Sequence, residues 1–293
     1  MDRQQIETVR RFNRTVTQRI GALEDGYLHR GRPLGEARFL FEIGPDGAEV
    51  QELRGRLNLD SGYASRLLRS LERQGLVAVG RHVADGRRRR VTLTETGLTE
   101  FSAYDGLSDE LAASLLSSLG EAHRARLVAA MADVERLLRA AGIMLEIEPS
   151  DGADARWCLE QYFAELAARF EEGFDTALGA SSDEVLVAPP DGAFLVARLD
   201  GAPVGCGMLR RDGEAIGEIK RMWVSPSVRG AGLAGRLLAR LEAIAREYGW
   251  THVRLDTNRA LLEAQAMYRK AGYHAIARYN ANPYADFWFE KAL

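Results

Sequence analysis

The sequence predicts two domains of different class: a helix-rich first half with a small β-hairpin, then a half in which strands and helices alternate. Three observations carry this expectation. The chain has 293 residues, about twice the ~150 residues of a typical domain. Its first half places apolar residues at helical spacing, interrupted once by a short pair of β-type runs. Its second half alternates β-type runs with amphipathic helices around one glycine-rich turn. Hydrophobic residues make up 46% and charged residues 28%, which excludes wholesale disorder and fibrous classes. No apolar stretch approaches the ~18 residues of a membrane span, and the opening MDRQQI lacks the apolar core of a signal peptide. Cys158 and Cys206 are the only cysteines, too few for a disulfide framework and without metal spacing. The expectation is a soluble, cytoplasmic protein with no metal and no membrane partner.

The first half opens with Ile6, Val9, Phe12, Val16, Ile20 and Leu23 at helical spacing, predicting a helix over 3–28. Pro33 opens a short helix carrying Leu34, Ala37, Leu40 and Phe41, stopped by Gly44-Pro45. Val50, Leu53 and Leu57 mark the next. Asp60 reads as the N-cap of a helix running to Gln74, with Gly75 as its left-handed stop. The runs 76–79 and 91–93 flank a polar tip at Asp85-Gly86 and predict a hairpin. Helices over about 96–105 and 108–141 follow. Residues 54–90 hold ten arginines against Asp60, Glu72 and Asp85, a concentrated positive block in a chain whose net charge is −3. Such a block points to a polyanion-binding face.

This order of helices, ending in a basic hairpin, is that of a winged helix-turn-helix. LDSGYASRLLRSLERQGLV (59–77) and ADGRRRRVTLTETG (84–97) resemble the recognition helix and wing of the MarR family of transcriptional regulators over about residues 2–142. That resemblance implies double-stranded operator DNA as partner. Ser61, Tyr63, Ser65, Arg66 and Arg69 would face the major groove, and Arg87, Arg88 and Arg89 would reach backbone or minor groove. For each recognition-helix arginine, the plain solvated face of an amphipathic helix is the other reading. The long flanking helices resemble the family's dimerisation bundle, implying a homodimer on a palindromic site. A domain boundary is expected at Gly142, giving 1–142 and 143–293.

In the second half, helix 154–172 precedes strands at 194–199, 203–210 and 215–225. A helix at 230–248, a strand at 252–256, a helix at 259–271 and a terminal strand pair near 273–279 and 286–291 complete it. Gly230, Gly232 and Gly235 spell G-x-G-x-x-G, and Asp256 ends the next strand. A dinucleotide-binding reading nevertheless fails. Several residues, running from Ser225 to Arg229, stand between the body of the strand and the first glycine, and that strand carries Glu218, Lys220 and Arg221, where a central parallel strand should be apolar.

The run Arg229-Gly230-Ala231-Gly232-Leu233-Ala234 instead resembles the pyrophosphate turn of the GNAT acetyltransferase superfamily. Glycines there expose backbone N–H groups to an anion at a helix N-terminus. Asn258 and the run MYRKAGY (267–273) match the same superfamily, over about residues 145–293. The implied fold is α/β with a mixed, mostly antiparallel sheet, and the implied cosubstrate is acetyl-CoA. Its turn would be held by Arg229 to Ala234, its pantetheine and thioester by backbone near Met222, Trp223 and Val224, with Asn258 adding a contact. Glu218 is the candidate base for an amine, and Tyr268 the candidate acid for the departing thiolate. Glu218 could equally pair with Lys220 or Arg221, Tyr268 could be a core tyrosine, and Asn258 could cap the helix at Arg259. Strand alternation puts Glu218, Lys220, Met222 and Val224 on one face, opposite Ile219, Arg221 and Trp223.

The acceptor, a small-molecule amine or a lysine, is unassigned. Tyr279, Asn280, Asn282 and Tyr284 either line its pocket or shape a loop. The combined expectation is a bifunctional MarR-type regulator and acetyl-CoA-dependent N-acetyltransferase. Its rivals are a regulator whose GNAT half only senses acetyl-CoA or CoA, and an enzyme whose first half only dimerises.

Overall fold

The computed structural model describes residues 2–81, 89–170, 173–175 and 187–293. The chain divides into two compact units, Met1–Ala129 and Ala130–Leu293, each with its own apolar core.

In the first unit, α1 (Arg3–Arg19) starts from a capping box of Asp2 and Gln5. It stops well short of residue 28, because Gly21 turns at φ 65° and Leu28 and His29 also take positive φ. None of its residues is buried; Ile6, Val9 and Phe12 are 44%, 58% and 46% exposed. Helices α2 (Leu34–Ile43), α3 (Val50–Arg56) and α4 (Ser61–Arg73) enclose the core through Phe39, Leu40, Leu53, Leu67, Leu68 and Leu71. Strands β2 (Val77–Arg81) and β3 (Arg89–Leu93) pair antiparallel, and β1 (Ala48–Glu49) joins the other edge of β3. The long helix α5 (Glu95–Ser117) is capped by Thr94, whose hydroxyl accepts from Gly97 N at 3.0 Å. Gly97 is obligatory: a Cβ there would lie 1.9 Å from Leu76 O.

Sequence spacing places a helix break near Gly106. The helix instead runs through it, because Phe101 stacks on Phe41 at 5.1 Å and Tyr104 on Tyr27 at 6.4 Å. That packing outweighs the ~1 kcal/mol cost of a mid-helix glycine. The break falls at residues 118–120, before α6 (Glu121–Ala141). The division between the compact units lies inside α6 rather than at Gly142. Its last turn belongs to the second core: Ala140 and Ile143 are buried there, and Arg236 donates to both carbonyls at 2.6 Å.

The second unit is a seven-stranded sheet built from β4 (Met144–Glu148), β5 (Gly192–Leu199), β6 (Ala202–Arg211), β7 (Ile216–Val224), β8 (His252–Thr257), β9 (His274–Ala275) and β10 (Phe287–Ala292). Their order is β4-β5-β6-β7-β8-β10-β9. Every pairing is antiparallel except β7 with β8, so the sheet is mixed and mostly antiparallel. Helix α7 (Ala153–Arg169) covers one face through Ala155 and Cys158. Helix α8 (Leu233–Glu247) covers the other with Leu233, Leu237, Leu241 and Ile244, the stripe its periodicity predicts. Helix α9 (Leu262–Lys270) follows β8.

One irregularity prepares the site. β7 pairs with β8 only from Ile216 to Glu218, and beyond that point the neighbours diverge. The β6–β7 register shifts between Cys206 and Met208, and Arg221 takes φ 56°. This is a β-bulge, which bends a strand and re-aims its side chains.

Candidate functional site

The glycine turn leads from β7 into α8. Gly230 and Gly232 take φ 78° and 81°, and Gly232 is the α8 N-cap without any side-chain cap. Left-handed backbone at two alternate positions suits glycine, and the uncapped helix end presents N–H groups and a positive dipole to an anion. A Cβ at Gly230 would lie 2.6 Å from Arg136 Nη1, so a guanidinium from α6 stands beside the turn. Arg229 donates Nε to Val224 O at 2.9 Å and pairs with Glu165. Glu165 also accepts from Trp223 Nε1 at 3.0 Å, which ties the splayed strand to the turn.

A groove of about 850 Å³ runs along these elements. Met222, Trp223, Val224, Arg229, Gly230, Gly232, Leu233, Ala234 and Tyr268 line it. Ala231 lies within the turn itself. Asn258 lines instead a smaller adjoining cavity of about 90 Å³, together with Lys220, Arg221, Asp256 and Tyr284. Met222 and Tyr268 border both. Asn258 does not cap a helix at Arg259, because α9 begins at Leu262. Its amide instead donates to Tyr284 O and accepts from Ala260 N, each at 2.8 Å.

Tyr268 is buried, its ring tilted against those of Tyr273 and Phe289 at 5.8 and 6.2 Å. Burial pushes its phenol well above the ordinary range, with Tyr162 and Asp256 adding to the shift, so it stays protonated and able to donate.

Glu218 is 0% exposed. Its Oε2 receives Arg210 Nη2 at 2.5 Å; its Oε1 receives Tyr279 Oη at 2.9 Å and Asn280 Nδ2 at 3.2 Å, with Lys220 Nζ at 3.3 Å. Burial alone would raise its pKa, but Lys220 and then Arg210 outweigh that and hold the carboxyl below its usual range. The carboxylate is therefore saturated with donors, its strand neighbour Lys220 among them. Among the described residues, the carboxylate on the cavity wall is that of Asp256. Its Oδ2 receives Asn280 at 2.6 Å and Asn282 at 3.2 Å and lies 3.9 Å from Lys220.

Strand alternation fails at the bulge: Lys220 and Arg221, consecutive in sequence, line the same cavity. Arg210, Tyr162, Glu165 and Asp256 are site residues that sequence reasoning did not assign. Arg210 lies opposite Glu218 in the β6–β7 register, which only a known pairing reveals. Tyr279, Asn280, Asn282 and Tyr284 do both of the things open to them: they fold the C-terminal loop and they converge on the site. Cys158 and Cys206 are buried and unpaired as a disulfide. Among the described residues no three metal-type ligands cluster, and no helix is long and apolar enough to cross a membrane.

In the first unit, α4 presents a polar face. Asp60 caps it by accepting from Tyr63 N at 2.9 Å. Ser61, Tyr63, Ser65, Arg66 and Arg69 are all exposed, with Arg66 above the Tyr63 ring at 5.5 Å. Leu67, Leu68 and Leu71 anchor the opposite side. Arg89 is exposed at the start of β3, whereas Arg87 and Arg88 lie outside the described residues.

Comparison with known proteins separates the same two regions. Residues 30–88 match the MarR family, and residues 155–273 match the acetyltransferase (GNAT) family. Over 98 residues the chain is 34% identical to the HTH-type transcriptional regulator BilQ of Clostridium symbiosum, covering 33% of this chain and 68% of that protein. Over 88 residues it is 44% identical to an IAA acetyltransferase of Azospirillum brasilense, covering 30% of this chain and only 58% of that relative's length. A solved acetyltransferase from Streptococcus agalactiae aligns over 52% of this chain and 99% of its own, at 20% identity and TM-score 0.45. The chain thus belongs to the MarR family of regulators through its first region, and its second region carries the match to the acetyltransferase (GNAT) family.

Proposed function

We propose that the protein binds double-stranded operator DNA through α4 and the wing, and transfers an acetyl group from acetyl-CoA to a primary amine. The observation that carries the enzymatic half is the join at Met222 and Tyr268 between the groove, which begins at an uncapped glycine turn, and a polar cavity. The pyrophosphate of acetyl-CoA fits the turn of Arg229, Gly230, Ala231, Gly232, Leu233 and Ala234, whose left-handed glycines lead into an uncapped helix N-terminus. Backbone donors freed at the splayed stretch of Met222, Trp223 and Val224 polarise the thioester carbonyl, and Asn258 shapes the boundary with the acceptor cavity.

An amine with a pKa near 10 must lose a proton before attack. Its nitrogen then bonds to the carbonyl carbon, the C–S bond breaks, and Tyr268 donates toward the departing sulfur. The ammonium gives up two protons in all, one ending on the CoA thiol and one in solvent. Glu218, saturated by Arg210, Lys220, Tyr279 and Asn280, fixes the cations around the cavity rather than taking the amine's proton directly.

On DNA, Ser61, Tyr63, Ser65, Arg66 and Arg69 approach base edges, while Arg87, Arg88 and Arg89 neutralise phosphates. The exposed apolar face of α1 pairs with that of a second copy, giving a homodimer in the cytoplasm. One observation favours a second reading, an acetyl-CoA sensor without turnover: the carboxylate nearest the strand centre is already fully paired. CoA release from acetyl-CoA across amino acids, polyamines, aminosugars and a lysine peptide decides between them. Turnover on one class, strongly reduced by Tyr268→Phe, supports the enzyme; tight acetyl-CoA binding without turnover supports the sensor.

A further inference from the structure

We infer that Arg136, on α6, is a binding residue for the diphosphate of CoA at the glycine turn, an inference that rests on the acetyltransferase reading above. Family similarity does not assign this residue, because the acetyltransferase match begins only at residue 155. A boundary drawn at Gly142 would also cut it away from the site.

The end of α6 is fixed to the start of α8. Arg236, in the first turn of α8, donates to Ala140 O and Ile143 O at 2.6 Å each. A cation at the carbonyl end of a helix is favoured by the helix dipole. Ala140 and Ile143 are buried in the second core, at 4% and 2% exposure. Residues four apart share a helix face, so Arg136 stands one turn before Ala140 on its side of α6. Its Nη1 accordingly lies 2.6 Å from the point that a Cβ on Gly230 would occupy. Both residues belong to the compact unit Ala130–Leu293, so the contact is internal to that unit.

The two arginines at the turn are held differently. Arg229 donates Nε to Val224 O at 2.9 Å and pairs with Glu165, which also takes Arg169 at 3.3 Å and the Trp223 indole at 3.0 Å. That arginine braces the strand against the turn. Arg136 instead gives Nη2 to Asp133 Oδ1 at 2.7 Å, three residues back on the same helix, and that carboxylate is 65% exposed. Ion pairs so open to water contribute little, so Asp133 orients the side chain without competing strongly with a phosphate. Nη1, the atom at the turn, has no protein partner among the described residues. A guanidinium matches phosphate through parallel N–H···O bonds.

The turn itself has room for the anion. A Cβ on Gly232 would meet nothing within 4 Å, and the N-terminus of α8 carries no side-chain cap. The diphosphate therefore has helix N–H groups and the Arg136 guanidinium to bind it. Arg136 takes no part in acyl or proton transfer, so its contribution is to affinity.

The test is calorimetric binding of CoA and of 3′-dephospho-CoA to the full-length protein, which requires no turnover. Arg136→Gln should weaken both ligands by about tenfold, the scale of one charge-assisted hydrogen bond. Arg139→Gln removes an exposed cation from the same turn of α6, paired with Glu135 at 3.8 Å. It should leave both affinities within about twofold, as a surface substitution outside the contact does. Unchanged affinity in Arg136→Gln overturns the assignment. So does an equal loss in Arg139→Gln, which would report only the charge of the surface. A loss seen with CoA and not with 3′-dephospho-CoA places the contact at the 3′-phosphate and overturns the diphosphate assignment. Failure of wild-type protein to bind CoA, seen in the first titration, overturns the acetyltransferase reading and this inference with it.

Discussion

On α4, Arg66, Arg69 and Arg73 stand in solvent on the polar face of an amphipathic helix. In the cleft beside β7, Arg210, Lys220 and Arg221 are largely withdrawn from water and set against Glu218, Asp256 and aromatic rings. The same residue types therefore do different work. Exposed cations keep their hydration, and on the proposed function they exchange it for phosphate, with an affinity that falls as salt rises. Cations in the cleft hold buried carboxylates in place, and removing one partner of such a pair is costly.

The largest predicted effect exploits that contrast. Glu218→Gln should destabilise the C-terminal unit by roughly 3 kcal/mol, because Arg210 and Lys220 lose their shared anion; urea unfolding measures it. The effect should also depend on pH. The folded pKa of Glu218 lies below its unfolded value near 4.3. Its ionised form therefore stabilises the fold above about pH 4.3, and that contribution is lost as pH falls through the folded pKa. Acid should erode wild-type stability more steeply than that of Glu218→Gln. Parallel curves would mean that Glu218 is not held as an anion.

Tyr268→Phe should lower kcat by roughly a hundredfold, within the range for loss of a proton donor, with acetyl-CoA affinity little changed. Next in size is the surface cluster. Arg66→Ala and Arg69→Ala should each cost about 1–3 kcal/mol of duplex DNA affinity if they read bases. If they contact phosphate, the salt slope should fall by about one per substitution. Fluorescence anisotropy at several salt concentrations separates the two. The smallest effect expected is that of Gly232→Ala. It strains a left-handed position by about 1–2 kcal/mol and should weaken acetyl-CoA binding roughly tenfold in calorimetry.

The comparison also explains what could be read from sequence. Local rules set α4: Asp60 caps it, apolar residues recur at helical spacing, and Gly75 at φ 70° ends it. All of this is visible in consecutive residues. The glycine turn before α8 was legible for the same reason, since Gly230 and Gly232 report their own backbone. The cleft was only partly legible. Glu218 meets Arg210 through a strand register, and Tyr279 and Asn280 return to it from some sixty positions away. Asp256 stood in the sequence only as the acid of a false dinucleotide pattern, and its neighbours give it a different place. The bulge at Arg221 defeats alternation outright, because φ 56° at an arginine has no local sequence signal. Likewise Gly106 reads as a break, and it is helical because rings distant in sequence pack across it.

The central claim is that one chain carries a DNA-reading surface and a separate acyl-transfer cleft. The most direct test is to measure both activities on the same three full-length proteins: wild type, Tyr268→Phe and the double variant Arg66→Ala/Arg69→Ala. Tyr268→Phe should lose roughly a hundredfold in CoA release while holding operator affinity within about twofold, and the double variant should keep turnover while losing at least about tenfold in DNA affinity. Full turnover by Tyr268→Phe, or undiminished DNA affinity in the double variant, would contradict it.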